Sequence, residues 1–203
     1  MNQNELAEYL KGRGILKSKA VIKAFKEIDR ADFVLPEFKN SPYGDYPLSI
    51  GHEQTISQPT TVAFMVSLLS PKPGEKILDV GAGSGWTTAL LSKLVGPKGK
   101  VFGTEIIFDL VKFSKSNLTK YNLANAEIIR AGEELGLPSE APFDKILVSA
   151  AARDLPPELV KQLKVGGRLV LPIENSIWVI EKVSEDKIEK QEFPGFVFVP
   201  LRH

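Results

Sequence analysis

Two groups of residues in this 203-residue chain have the types and spacing for chemistry. The first is Gly81-Ala82-Gly83-Ser84-Gly85, placed directly after the apolar run Ile77-Leu78-Asp79-Val80, with Glu105 following 20 residues after Gly85. Glycines let a backbone turn tightly and approach a ligand closely. An acid at the end of the next strand can accept both hydroxyls of a ribose. The pairing points to a ligand that contains a nucleoside. Asp79 carries two readings of equal weight: it holds an amino group of that ligand, or it orders the glycine loop through backbone N–H groups. The second group is Thr55-Ile56-Ser57, just ahead of Pro59. Its two hydroxyls can donate to a carboxylate and orient it. Ser57 also suits the N-cap of a helix opened by Pro59. Both roles can hold together, because a helix N-terminus favours an anion.

Composition removes other chemistries. The chain has no cysteine and only His52 and His203, which excludes thiolate chemistry and leaves too few ligands for a His-rich metal site; no metal is expected. A serine-hydrolase reading fails on spacing, since the serine of the glycine loop is not the centre of G-x-S-x-G. His52 lies near Ser57 in sequence, but no motif supplies a carboxylate to orient it, so it reads as a partly exposed loop histidine. Lys+Arg number 26 against 25 Asp+Glu, a balance that provides no basic surface for nucleic acid or an anionic membrane. No Asn/Asp-Pro-Pro-Tyr type motif is present. No apolar run approaches a membrane span and the N-terminus carries no signal pattern. A cytoplasmic monomer is expected.

The elements that must hold these residues follow from periodicity. Residues 4–30 read as two short helices, with Ser18 the N-cap of the second, and residues 31–57 as irregular chain. A helix runs from Pro59 to about Leu69. Strands follow at Lys76–Val80, Lys100–Glu105, Ala126–Arg130, Lys145–Ala150 and Arg168–Pro172, with helices at Thr87–Leu94, Asp109–Tyr121 and Pro157–Leu163, the last stopped by Gly166-Gly167. Ile177–Val183 and Gly195–Leu201 read as strands with no helix between them. Apolar strands alternating with amphipathic helices imply a Rossmann-like, doubly wound, mostly parallel sheet, here with an antiparallel edge. The expectation is one α/β domain over 1–203: a small helical extension and substrate-side loop over 1–57, and the Rossmann-like core over 58–203.

The sixth residue of the loop refines the ligand. A dinucleotide fingerprint needs a small side chain there, for helix–strand packing; this chain has Trp86. Glycines at the first, third and fifth positions instead match the G-x-G-x-G spacing of class I S-adenosylmethionine-dependent methyltransferases. Methyl transfer suits a site without an obvious acid or base. A carboxylate acceptor is ionised at neutral pH, its reference pKa lying near 4, so the protein has only to align the reactants and exclude water.

The stretch Asp45-Tyr46-Pro47-Leu48-Ser49-Ile50-Gly51-His52-Glu53-Gln54-Thr55-Ile56-Ser57-Gln58-Pro59 closely resembles the signature of protein-L-isoaspartate O-methyltransferases. Further matches follow at Leu78–Gly85, Glu140–Asp144, Ala150–Ala152, Gln162–Val170 and Phe198–Leu201, so the resemblance covers nearly the whole chain. It implies methylation of the free α-carboxylate of L-isoaspartyl residues in damaged proteins and peptides. The donor is S-adenosyl-L-methionine, which leaves as S-adenosyl-L-homocysteine. The methyl ester then closes spontaneously to a succinimide. The resemblance makes Ser57 the catalytic serine and Thr55 and Ser57 substrate-binding. It assigns Gln54, Thr55, Ile56, Ser57, Asp79, Gly81, Gly83, Gly85, Glu105, Gly132 and Glu133 to the cofactor. Two segments depart from the family. Where it has Gly-Asp-Gly after the third strand, whose aspartate contacts the adenine region, this chain has Ala131-Gly132-Glu133-Glu134; Gly132 replaces the aspartate, and Glu133 or Glu134 can substitute by a small shift. Its Pro-Val-Gly turn is Pro172-Ile173-Glu174, and a glutamate there can repel an anionic acceptor. Arg202, near the end, reads as a solvated arginine. The departures motivate two further hypotheses: a methyltransferase for another acceptor, and a non-catalytic S-adenosylmethionine-binding module.

Overall fold

The computed structural model describes residues 1–202. Helices α1 (Gln3–Gly12) and α2 (Lys19–Glu27) open the chain. Asn2 and Glu5 form a capping box on α1, each side chain accepting from the other's backbone N–H. Such a cap is worth about 1 kcal/mol. Ser18 stands at the N-cap of α2 but makes no side-chain capping bond. After two 3₁₀ turns at Arg30–Phe33 and Pro36–Phe38, the stretch expected to be irregular contains a hairpin, β1 (Leu48–Gly51) and β2 (Gln54–Ile56). Its turn is His52-Glu53, both at positive φ (54° and 59°). A tight hairpin usually signals itself with Asn or Gly at those positions; here neither is present.

Helix α3 (Pro59–Leu69) leads into β3 (Lys76–Val80), α4 (Trp86–Val95), β4 (Lys100–Glu105), α5 (Phe108–Leu118), β5 (Ala126–Arg130), β6 (Phe143–Val148), α6 (Pro157–Lys161), β7 (Leu163–Ile173), β8 (Ser176–Lys182) and β9 (Ile188–Pro194). The seven-stranded sheet runs β5-β4-β3-β6-β7-β8-β9. Its first five strands pair in parallel, and β7-β8-β9 form an antiparallel meander. Side chains alternate across it. Ile77, Val101, Leu147 and Val170 face a core shared with α1–α5, and Leu78, Val80, Ile146 and Leu169 face a smaller core with Leu135 and Leu159. The residues before 58 therefore bury Leu6, Leu10, Phe25 and Phe33 in the same core as the sheet.

Three sequence expectations need correction. Gly166-Gly167 does not stop a helix: α6 ends at Lys161, and the glycines lie inside β7. The ladder jumps from Phe143↔Leu163 to Lys145↔Arg168, so Lys164–Gly167 bulge out of register, and a Cβ on Gly167 would meet Lys164 O and Asp144 O within 2.9 Å. Second, the last strand is Ile188–Pro194, not Gly195–Leu201. This edge strand is mostly exposed and polar, so no apolar pattern marks it. The chain turns at Gly195 (φ 97°) and its apolar end runs back to Ala151, whose N–H donates to Val199 O and whose O accepts from Leu201 N–H, both at 2.8 Å. Third, Ser57 does not cap α3. The N-cap position is Gln58, and Asp45 does the work from a distance, accepting from Thr60 N at 2.9 Å and Thr60 Oγ1 at 2.7 Å. Among the described residues, no helix is long and apolar enough to cross a membrane.

Candidate active site

A cleft opens beyond the carboxyl ends of β3, β4, β5 and β6, where the connections on either side of β3 diverge. Open parallel sheets bind ligands at such a point.

The floor is the glycine loop. Gly81, Gly83 and Gly85 have φ of 77°, 54° and 86°, a region that side chains with a Cβ resist. Gly85 is the N-cap of α4 and brings no capping side chain, and the first helical residues, Trp86 and Thr87, line the cleft. Backbone bonds from Gly81 N and Ala82 N to Thr104 O, both 2.9 Å, tie the loop to the end of β4. Glu105, which is nearly buried, completes the tie: its Oε2 accepts from Gly83 N and its Oε1 from Ile107 N, each at 2.9 Å. An ionised carboxylate offers about four acceptor sites. Two are used by these N–H groups, which leaves two for a pair of ribose hydroxyls.

Asp79 lies beneath the floor. It is fully buried, does not line the cleft, and accepts no backbone N–H of the glycine loop. Its Oδ2 accepts from Thr88 Oγ1 at 2.6 Å, while Oδ1 has no partner. Burial pushes its carboxyl up to about 6, and the hydrogen bond from Thr88 only partly counters this.

The roof is the hairpin. Ile50, Gln54, Thr55, Ile56 and Ser57 line the cleft, and a Cβ on Gly83 would meet Ile50 Cδ1 at 3.2 Å, so the hairpin rests directly on the glycine loop. Ser57 stands one residue ahead of the N-cap Gln58, and its hydroxyl is left over. Among the described residues it makes no hydrogen bond within the chain, although Ser57 O accepts from Arg30. His52 is at the hairpin tip, half-exposed, with Nε2 3.5 Å from Asp109 Oδ2, a carboxylate no sequence motif pointed to.

Of the remaining sequence-derived residues, Gly132 lines the cleft, with open space where a Cβ would point. Gly85 forms the turn without lining it. Glu134, not Glu133, faces the cleft from this segment; Glu133 borders only a neighbouring shallow depression that it shares with Glu134, Glu158 and Lys161. Glu174 is in the β7–β8 turn at φ 51°, outside the cleft, so it does not confront an acceptor there. The C-terminal run Val199–Arg202 forms a wall that neither periodicity nor motif spacing located. Arg202 is the only cationic side chain on the lining of the described chain, and it pairs with Glu53 of the hairpin turn at 3.1 Å. Both side chains are exposed, so Arg202 is solvated as expected, with Glu53 as a surface partner. No group of three or more metal-ligating side chains occurs among the described residues.

Comparison with known proteins gives consistent matches. A family model described as protein-L-isoaspartate(D-aspartate) O-methyltransferase matches residues 1–203. A protein-L-isoaspartate O-methyltransferase from Methanopyrus kandleri is 40% identical over 98% of this chain and 90% of its own length. One from Pyrobaculum islandicum is 42% identical over 97% of each chain. Among solved structures, a protein-L-isoaspartate O-methyltransferase from Plasmodium falciparum, in complex with S-adenosyl-L-homocysteine, superimposes with a TM-score of 0.87 at 32% identity, covering 100% of this chain and 99% of that one.

Proposed function

Since the chain belongs to the protein-L-isoaspartate(D-aspartate) O-methyltransferase family, we propose that it methylates the free α-carboxylate of L-isoaspartyl residues in damaged proteins and peptides, with S-adenosylmethionine as donor. The observation that carries this reading is the meeting, in one cleft, of a free Ser57 hydroxyl with the glycine loop and the half-satisfied carboxylate of Glu105.

S-adenosylmethionine supplies a methyl group already activated on a sulfonium. The residues that would hold it are Gly81 and Gly83 through close backbone approach, Glu105 through the ribose hydroxyls, and Gln54–Ser57 from above. Gly132 and Glu134 lie where β5 ends, on the side expected for the adenine.

The acceptor carboxylate is ionised at neutral pH, so no side chain has to remove a proton. Ser57 donates a hydrogen bond that orients it, with Thr55 beside it, and the hairpin excludes water from the reacting atoms. Arg202 at the rim favours an anionic acceptor once it leaves Glu53. We take a monomer as the working unit and place the enzyme in the cytoplasm.

Paired peptides test the proposal. Labelled S-adenosylmethionine and two peptides that differ only in isoaspartate or aspartate are incubated with the protein. Preferential labelling of the isoaspartyl peptide is expected, and equal or absent labelling refutes the reading.

A further inference from the structure

Arg30 is fully buried and does not line the cleft, and the reaction above makes no use of it. Its guanidinium donates to four backbone carbonyls. Nη1 reaches Pro42 O and, at 3.4 Å, Gly44 O; Nη2 reaches Tyr46 O at 3.1 Å and Ser57 O at 3.2 Å. All four belong to the segment that carries the β1–β2 hairpin. The first three precede the hairpin and Ser57 follows it, so one side chain closes both ends of the cleft's roof.

The other contact is to the floor. The Arg30 guanidinium carbon lies 5.5 Å from the centroid of the Trp86 ring, and Trp86 opens α4 immediately after the glycine loop. Trp86 is itself buried and packs edge-to-face with Phe25, centroids 5.6 Å apart. Roof and floor are therefore joined through one planar group.

The chemistry of the contact is specific to a guanidinium. Donors must leave two separate nitrogens toward carbonyls on both sides of the hairpin, which a fork does and a point-charge ammonium does not. No carboxylate forms an ion pair with Arg30 among the described residues, and the nearby Asp45 spends its oxygens on Thr60. Burial brings the guanidinium down to about 10, so it stays charged at neutral pH. Arg30 Nε is left without a partner as well. A buried cation held only by carbonyls and a ring is poor value as a source of stability alone. Its arrangement makes sense if position is what it supplies.

We propose that Arg30 is a positioning residue for methyl transfer, locking the Pro42–Ser57 segment to the glycine loop so that Ser57 is held in register with the methyl donor. The inference rests on the function proposed above. Arg30 touches neither reactant; it acts through the Ser57 carbonyl and the Trp86 ring.

The test is Arg30→Lys, which keeps the charge and loses the fork. Wild-type protein is assayed first with the paired peptides. If it shows no preference for isoaspartate, the proposed function fails and Arg30 is not at issue. With wild-type activity established, Arg30→Lys is expected to lower kcat for the isoaspartyl peptide by about tenfold or more and to raise its KM, because small misplacements cost rate steeply. Affinity for S-adenosylhomocysteine, measured by calorimetry, is expected to fall less than kcat, since Arg30 acts only on the contacts that Gln54–Ser57 make from above and the bonds that hold the glycine loop to Thr104 and Glu105 do not pass through it. Arg30→Met, an apolar side chain of similar length over Trp86, provides a second variant with the same expected split. A residue needed only for stability gives another pattern: below the melting point, kcat, KM and cofactor affinity per folded molecule all match wild type. That result overturns the proposal. So does a proportional loss of cofactor affinity and kcat, or failure of both variants to fold.

Discussion

Replacing Glu105 by glutamine changes one atom in the cofactor cleft and separates two jobs of one carboxylate. In the free protein Oε2 accepts from Gly83 N and Oε1 from Ile107 N, both at 2.9 Å. Glutamine keeps one acceptor oxygen, so its NH₂ group must face one of these N–H donors. A hydrogen bond to a charged group is worth about 1.5–3 kcal/mol. Because this bond exists with or without ligand, its loss belongs to folding stability. At roughly 2–4 °C per kcal/mol for a chain of this size, the melting temperature of Glu105→Gln should fall by about 3–12 °C. The remaining two lone pairs are those offered to the ribose. One hydroxyl keeps an acceptor in the variant and the other meets the NH₂ group, a further loss of about 1.5–3 kcal/mol that is felt only with ligand bound. At about 1.4 kcal/mol per factor of ten, affinity for S-adenosylhomocysteine should drop by roughly tenfold to a hundredfold. Isothermal titration calorimetry reads the affinity without turnover, and a thermal melt of ligand-free protein reads the stability. A lowered melting temperature with affinity within about threefold of wild type refutes the ribose assignment and leaves Glu105 as a loop tie alone. If neither quantity moves, the hydrogen-bond reasoning itself is wrong.

Ser57→Ala should reduce kcat on isoaspartyl peptide by about tenfold or more, the cost of one hydrogen bond to a carboxylate. Its melting temperature should be unchanged, because the hydroxyl has no partner in the chain; a large loss of stability would show a structural role instead. Asp79 predicts a pH effect in ligand-free protein. Its carboxyl sits at about 6 in the fold and near 3.9 when unfolded. The folded state thus binds the proton more tightly, and this group's contribution to stability is fully present below pH ~4 and is lost as pH rises through about 6. Asp79→Asn should remove up to ~3 kcal/mol of that slope in urea unfolding between pH 4 and 7; parallel wild-type and variant profiles would count against it. Finally, Glu134→Gln should weaken S-adenosylhomocysteine binding more than Glu133→Gln, since only Glu134 faces the cleft. Equal effects in calorimetry would show that the adenine side is organised differently.

Some of this protein could be read directly from its residues. The parallel strands appeared at Lys76–Val80, Lys100–Glu105 and Ala126–Arg130, because a sheet covered on both faces imposes continuous apolar runs with helices between them. The helix Pro59–Leu69 is marked by its proline and its apolar length. The glycine loop and Glu105 were legible because both functions are local: a backbone that must adopt positive φ, and an acid at a strand end next to it. Other features carry no local pattern. The hairpin turn at His52-Glu53 lacks turn residues, and the edge strand Ile188–Pro194 is polar, so neither stands out by type. Asp45 accepts from the first turn of α3 across 15 residues of chain, while Ser57 stands one residue ahead of the N-cap with its hydroxyl unbonded. Arg202 meets Glu53, and Arg30 gathers carbonyls from Pro42 to Ser57 over the ring of Trp86. These contacts join residues far apart in the chain, through backbone atoms that every residue possesses. Sequence records which side chain is present at each position; which carbonyl it reaches, and which hydroxyl is thereby left over for a substrate, is settled only when distant segments pack together.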